Sequence, residues 1–371
     1  MPAPLLATAT SRAARGLPRV VGAVCLFALG LAFADPVLAR CVVTVQPGDN
    51  VRAAWNDAFA QGCSLHFSAG THFTTNRLGA SVSGLPDDPI EIYGDGMENT
   101  FLVRPNANQN IMDIGGSHLV IRDLDMSGGG RGLRLEGSTS DLVVERIALH
   151  DTQGTAFAAN DLGAVYTRIT IRRSEIYNAS GLTGEGLYLG CNNDACEFSN
   201  SLVEFNYVHD TSATDPNQGD GLDLKGGAFG NVVRHNVFRN TQTLGIFAYA
   251  NGGRAQNTIE ANVIINTNGA GGLQVTGDAL IQNNVIILAE HPDTPPEAGI
   301  IGHPSNQGVP NNLQFLHNTV VREGAVAGQR CMTARNWDAP GAANMVMANN
   351  AVYCGSGEAI FIQGNGAANT Q

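Results

Sequence analysis

A short pattern of apolar and polar positions recurs along the chain: apolar, any, any, Asn, any, apolar. It runs over Val203–Val208, Val233–Phe238, Ile259–Ile264, Ile281–Ile286, Phe315–Val320 and Met347–Val352. Asn206, Asn236, Asn262, Asn284, Asn318 and Asn350 hold the fourth place, and looser copies put Leu124, Ile147 and Ser174 there. Each unit carries a second apolar run, usually opened by glycine, as in Gly186-Leu187-Tyr188-Leu189, Gly221-Leu222-Asp223-Leu224, Gly245-Ile246-Phe247-Ala248, Gly272-Leu273-Gln274-Val275 and Gly299-Ile300-Ile301-Gly302. The alternation has period two and is broken every few residues by Gly or Asn, which predicts strands and excludes helices. Strands this short, with one apolar face, cannot bury themselves alone. Stacked at ~4.8 Å they pair above and below and share one continuous core. The pattern predicts an all-β chain, a single-stranded right-handed parallel β-helix over residues 41–365. The Asn column falls at a turn, where stacked amides bond one another and the turn backbone.

One segment has helical spacing. Val51, Trp55, Ala58 and Phe59 share a face, with Gly62 as a stop, so an amphipathic helix over 50–61 is expected to cap the open end of the solenoid. The helix followed by Cys63-Ser64-Leu65-His66-Phe67-Ser68-Ala69-Gly70-Thr71 resembles the opening of pectate-lyase-like β-helix proteins. So do Asp88-Pro89-Ile90-Glu91-Ile92-Tyr93-Gly94 and the coils behind it. The likeness covers nearly all of residues 41–365. It implies the fold, and a choice among lyases, hydrolases, epimerases and non-catalytic proteins. The catalytic segments of pectate lyases, polygalacturonases and alginate epimerases are absent, so no family's catalytic set carries over whole.

The N-terminus reads as an address. Arg12, Arg15 and Arg19 precede an apolar run, Val20–Leu31, and Ala32-Phe33-Ala34 is a small-x-small cleavage site, with Val37-Leu38-Ala39 as a second choice. A signal peptide over residues 1–34 is expected, against the alternative of a membrane anchor, because the run is shorter than the ~20 residues that span a bilayer. The protein is then secreted or periplasmic, with no membrane span after signal removal, and residues 366–371 form a polar tail. Cys25 leaves with the signal, and nearest-neighbour disulfides Cys41–Cys63, Cys191–Cys196 and Cys331–Cys354 are expected. The net charge of −12 becomes −15 once the three leader arginines are gone. That excludes nucleic acid as a partner and makes a polyanionic substrate dependent on a local cation. A monomer is expected.

Aligning the glycine-led strands gives columns. With Leu222 inward, Asp223 and Lys225 point outward. The column through Asp223 then holds Arg134, Ala158, Tyr188, Asp223, Phe247, Gln274 and Ile301. The column through Lys225 holds Glu136, Asn160, Gly190, Lys225, Tyr249, Thr276 and His303. This is a solvent-facing strip of aromatic rings, a carboxylate and a cation, suited to a polysaccharide. Tyr188, Phe247, Gln274, His303 and Arg134 are the candidate substrate-binding residues. Lys225, Tyr249 and Asp223 are the candidate catalytic ones. Lys225 is the only lysine against twenty arginines, and a lysine, unlike an arginine, becomes a base once its pKa falls. Arg254 reads as a surface arginine whose exchange for lysine is silent.

Glu185, Asp215, Asp220 and Asp194 cluster in sequence around this strand and are the candidate ligands of a Ca²⁺ ion. Without a cation, Asp223 favours the charged ammonium of Lys225 and opposes its use as a base. The parts join as a polysaccharide lyase acting on a uronate by β-elimination. A cation neutralises the carboxylate, Lys225 takes the C5 proton, and Tyr249, ~5 Å away, assists the O4 group. The alternatives are a glycoside hydrolase using Asp220, Asp223 and Glu185, and a non-catalytic glycan-binding protein.

Overall fold

The computed structural model describes residues 40–265, 267, 271–288, 300–301 and 307–363. The expected leader 1–34, the 366–371 tail and His303 lie outside the described residues.

The chain is a right-handed parallel β-helix, with short strands stacked coil on coil. The glycine-led strands form one face, where Phe157–Ala159, Leu187–Leu189, Leu222–Leu224, Leu244–Ala248 and Gly271–Val275 pair in parallel. The two halves of the six-residue pattern form two more. Leu202–Glu204, Val232–Arg234 and Asn257–Glu260 stack on one; Tyr207–His209, Val237–Arg239 and Val263–Ile265 stack on the other. The apolar positions of the pattern, from Val203 and Val208 to Phe315 and Val320, lose essentially all exposure to a single core.

The Asn column is the turn between those two faces. Asn236 donates from Nδ2 to the Val203 carbonyl at 2.9 Å and to Asn262 Oδ1 at 3.0 Å, and its backbone N–H reaches the same Oδ1. The next coil repeats this from Asn262 to Asn284. The residue before each amide sits in the left-handed region, even where it is bulky: Phe205 at φ 56°, His235 at 54°, Ala261 at 52°. Two to three buried bonds per amide offset the ~1–3 kcal/mol such backbone strain costs. A second, shorter ladder runs through Ser201, Asn231 and Asn257; the six-residue pattern does not contain it.

The helix spans Val51–Ala60, with Asn50 accepting from the Ala53 N–H at 3.0 Å as its N-cap. Val51, Trp55 and Ala58 are buried on the first coils, and Trp55 Nε1 donates to the Gly79 carbonyl. The three expected disulfides all form, Cys41–Cys63, Cys191–Cys196 and Cys331–Cys354, with Cα separations of 4.7, 5.3 and 5.7 Å. They suit an oxidising, extracytoplasmic compartment. Among the described residues no helix is long and apolar enough to cross a membrane.

Register matches the expected columns as far as Gln274. Arg134, Ala158, Tyr188, Asp223, Phe247 and Gln274 lie side by side. One coil further the alignment slips: Ile300 pairs with Gln274, and Ile301 with Val275. The expected pairing of Leu273 with Ile300 is therefore off by one residue.

Candidate functional site

Lys225 ends the strand Leu222–Leu224, and its backbone N–H donates to the Leu189 carbonyl of the coil before. The chain then turns through Gly226 and Gly227. A Cβ on Gly227 would lie 1.7 Å from the Cys196 carbonyl oxygen, so the disulfide-clipped excursion 191–196 packs directly on this turn. The expected solvent-facing strip is largely buried. Asp223 is 0% exposed and Lys225 5%. Gln274 and Tyr249 are also buried, while Tyr188 and Phe247 stay half-buried. The outward column is thus a buried wall with an aromatic edge.

The Lys225 ammonium lies 2.8 Å from Asp223 Oδ2. Three rings surround it, with centroids 4.6 Å (Tyr188), 4.8 Å (Tyr249) and 5.2 Å (Phe247) away. Burial alone would lower the lysine's pKa. The Asp223 carboxylate, then the hydroxyls of Tyr188 and Tyr249, outweigh it and hold the proton above the usual lysine range. In this arrangement Lys225 is a fixed positive charge, and the pair opposes the expected role of neutral base.

Two more carboxyls share this wall. Glu185 and Asp220 occupy equivalent places, each two residues before a glycine-led strand core. Glu185 accepts from Thr155 Oγ1 at 2.8 Å; Asp220 accepts from Thr243 Oγ1 and, at 2.8 Å, from the Leu244 N–H. Burial, then the field of Asp223, pushes Glu185 up to about 7. The same two causes raise Asp220 well above the ordinary aspartate range. Glu185 Oε1 and Asp223 Oδ1 are buried without a hydrogen-bond partner among the described residues. Burial likewise raises both tyrosines, Tyr188 to about 12, with the ammonium pulling each the other way.

The four carboxylates expected to hold Ca²⁺ are not brought together. Asp194 pairs with Arg254 on the excursion. Asp215 accepts from the Asn217 N–H at 2.9 Å in its own turn. Glu185 and Asp220 are buried, each within the fields of Asp223 and, more weakly, Lys225. Among the described residues no group of three or more His, Cys, Asp or Glu is placed to hold a metal ion. Arg134 also sits apart from the ammonium, ion-paired to Asp161, and Gln274 donates to Gln307 Oε1 at 2.7 Å.

Two surface hollows flank the rings. One, of about 310 Å³, is lined by Tyr188, Asn160, Leu162 and the excursion residues Cys191, Asn192, Asn193 and Ala195. The other, of about 220 Å³, is lined by Tyr249, Asn193, Asp194, Asn251, Arg254 and Gln307, among others. Asn193 borders both, so the excursion stands between them. Arg254, read from the sequence as a bystander, is part of this wall. Thr155 is not singled out in the sequence; its place one coil before Glu185, to which it donates, brings it to the site.

No family model matches the chain, and no curated protein does. Solved structures resemble it at low identity. The alginate lyase from Paenibacillus sp. str. FPU-7 superposes with a TM-score of 0.58 at 17% identity, covering 89% of this chain and 99% of that one. The Dettilon tailspike protein gives 0.55 at 12%, covering 86% and 68%. The catalytic domain of a GH87 α-1,3-glucanase in complex with nigerose gives 0.54 at 15%, covering 92% and 68%. What the chain shares with all three is the fold, a right-handed parallel β-helix.

Proposed function

We propose that this protein is an extracytoplasmic, polysaccharide-active β-helix protein that cleaves a uronate-containing polysaccharide by β-elimination. The observation that carries the reading is the ammonium of the only lysine, ringed by Tyr188, Phe247 and Tyr249 between two hollows. In an acidic protein, a cation beside a hollow attracts an anionic ligand, and ring faces stack on sugars. The naming of one similar structure as an alginate lyase agrees with this class.

The chemistry follows from the charges. Elimination breaks the C5–H bond, forms the C4=C5 double bond from its electron pair, and expels O4. Negative charge grows on the uronate carboxylate as C5 loses its proton, and the fixed Lys225 ammonium stabilises it there. Tyr249 lies against Lys225; burial raises its pKa, the ammonium offsets part of that rise, and it serves as base only in the fraction present as phenolate. It takes the C5 proton and returns it to O4. Asp223 holds the ammonium in place, with Glu185 and Asp220 behind it. A hydrolase would use those carboxyls, which lie deeper than Lys225 and Tyr249: Glu185 and Asp223 are 0% exposed and Asp220 3%, against 5% and 7%.

The test is a screen of purified protein on pectin, alginate and glycosaminoglycans, following both ultraviolet absorbance of the unsaturated uronate and new reducing ends. Elimination yields both. Reducing ends without absorbance would replace the reading with hydrolysis, and binding without either would replace it with a glycan-binding protein. On the cleaved substrate, Tyr249→Phe should lose ~10²–10⁴-fold in kcat, as expected for a lost proton-transfer group. Lys225→Arg should keep measurable turnover, because its role is charge. Lys225→Arg losing as much as Tyr249→Phe would return the base to Lys225.

A further inference from the structure

The hollow beyond Tyr249 has its own recognition chemistry. Arg254 Nε donates to the Asn251 carbonyl at 2.9 Å, one Nη2 meets the Asp194 carboxylate, and the guanidinium lies 4.9 Å over the Phe229 ring. Nη1 makes no hydrogen bond among the described residues, and the side chain is 33% exposed. Beside it, Asn251 is 1% exposed; its Nδ2 donates to the Ala255 carbonyl at 2.8 Å, yet its Oδ1 has no partner among the described residues. The loop that carries both is pinned from below. Asp278 Oδ2 accepts from the Asn251 and Gly253 N–H groups, each at 3.0 Å. A preformed hollow therefore offers free guanidinium donors, an orphaned buried acceptor and the Tyr249 ring.

A carboxylate suits the donors, a hydroxyl suits the acceptor, and a sugar ring suits the aromatic face. We propose that Arg254 and Asn251 form a second subsite, which binds the uronate unit next to the one at Lys225 and so selects for two adjacent acidic sugars. Arg254 is the specificity-determining residue, and Asp194 is its competitor, occupying part of the fork until substrate arrives. The inference rests on the acidic-polysaccharide reading above, but not on elimination.

Titration calorimetry with short oligogalacturonates and oligoalginates, and with the same oligomers after carboxyl reduction, tests it. Arg254→Gln should weaken binding of the acidic oligomer that the wild type prefers by ~10–100-fold, the usual range for losing a charge-assisted bond, and leave the reduced oligomer unaffected. Asp194→Asn should tighten acidic binding several-fold, because it frees the guanidinium; a purely structural ion pair would give equal or weaker binding. Unchanged affinity in Arg254→Gln, or unchanged or weaker affinity in Asp194→Asn, overturns the subsite. Should the wild type bind no acidic oligomer, the acidic-substrate reading falls with it. Arg254-dependent binding without unsaturated product would sink elimination alone and leave the subsite standing.

Discussion

Two columns of charge run along this solenoid, and they differ in balance and depth. On the face formed by the first half of the Asn pattern, Arg122, Glu145, Arg172, Glu204, Arg234 and Glu260 stand on successive coils. Signs alternate, three against three. Arg172 reaches Glu145 at 2.6 Å and Arg234 reaches Glu204 at 2.8 Å, with the guanidiniums more than a third exposed or nearly so. On the glycine-led face one ammonium meets three carboxyls, and all are buried. In the first arrangement the guanidiniums of Arg172 and Arg234 reach water, while Glu145 and Glu204 lie buried beneath them. The second sets three buried carboxyls against one ammonium, and burial with the field of Asp223 raises Glu185 and Asp220 above their usual range. Unbalanced burial of this kind raises no stability by itself, and it marks the face where chemistry is placed.

Removing the cation should expose the difference most sharply. Lys225→Met strands Asp223 beside two other carboxyls and should cost ~3–5 kcal/mol in denaturant unfolding at neutral pH. A loss below ~1 kcal/mol would mean the wall is as solvated as the surface column. The next effect is one of pH. The Glu185 carboxyl has a folded pKa of about 7 against an ordinary 4.5. The folded state therefore binds the proton more tightly, so its contribution is complete below 4.5 and is lost as pH rises through about 7. Glu185→Gln removes that loss: it should match the wild type near pH 4 and exceed it near pH 8 by up to about 3 kcal/mol. Thermal melts at the two pH values check this, and an equal difference at both would show that Glu185 is not the titrating group. The smallest effect belongs to the balanced column. Arg172→Met should change stability by less than ~1 kcal/mol, since Glu145 keeps Arg146 at 2.6 Å. A larger loss would show that the exposed column acts as a cooperative network.

The difference in what could be read from sequence follows the same line. The six-residue pattern and the glycine-led runs placed the core and the Asn ladder, and local cysteine pairs gave the disulfides. Tyr188, Asp223, Phe247 and Gln274 were brought to one column because their strands begin at the same phase relative to a glycine. The slip at Ile300 shows the limit of that rule. The glycine-led alignment fixes phase only if each strand begins at its glycine, and here the pairing decided otherwise.

By itself the sequence determined the repeat, and with it the parallel β-helix, the capping helix and the juxtaposition of Lys225 with Asp223, Tyr188 and Tyr249. These depend on period and phase, which are local. Only the tertiary structure decided how deep that group lies, that Lys225 is held as an ammonium, that Asp194 leaves the carboxylates to bind Arg254, and that Arg254 borders the cleft. Depth is set by what neighbouring coils pack around the group, as Tyr188, Phe247 and Tyr249 do around the ammonium. Protonation is set by the sum of fields from residues on several coils, and neither quantity is carried by the spacing of residues along one chain.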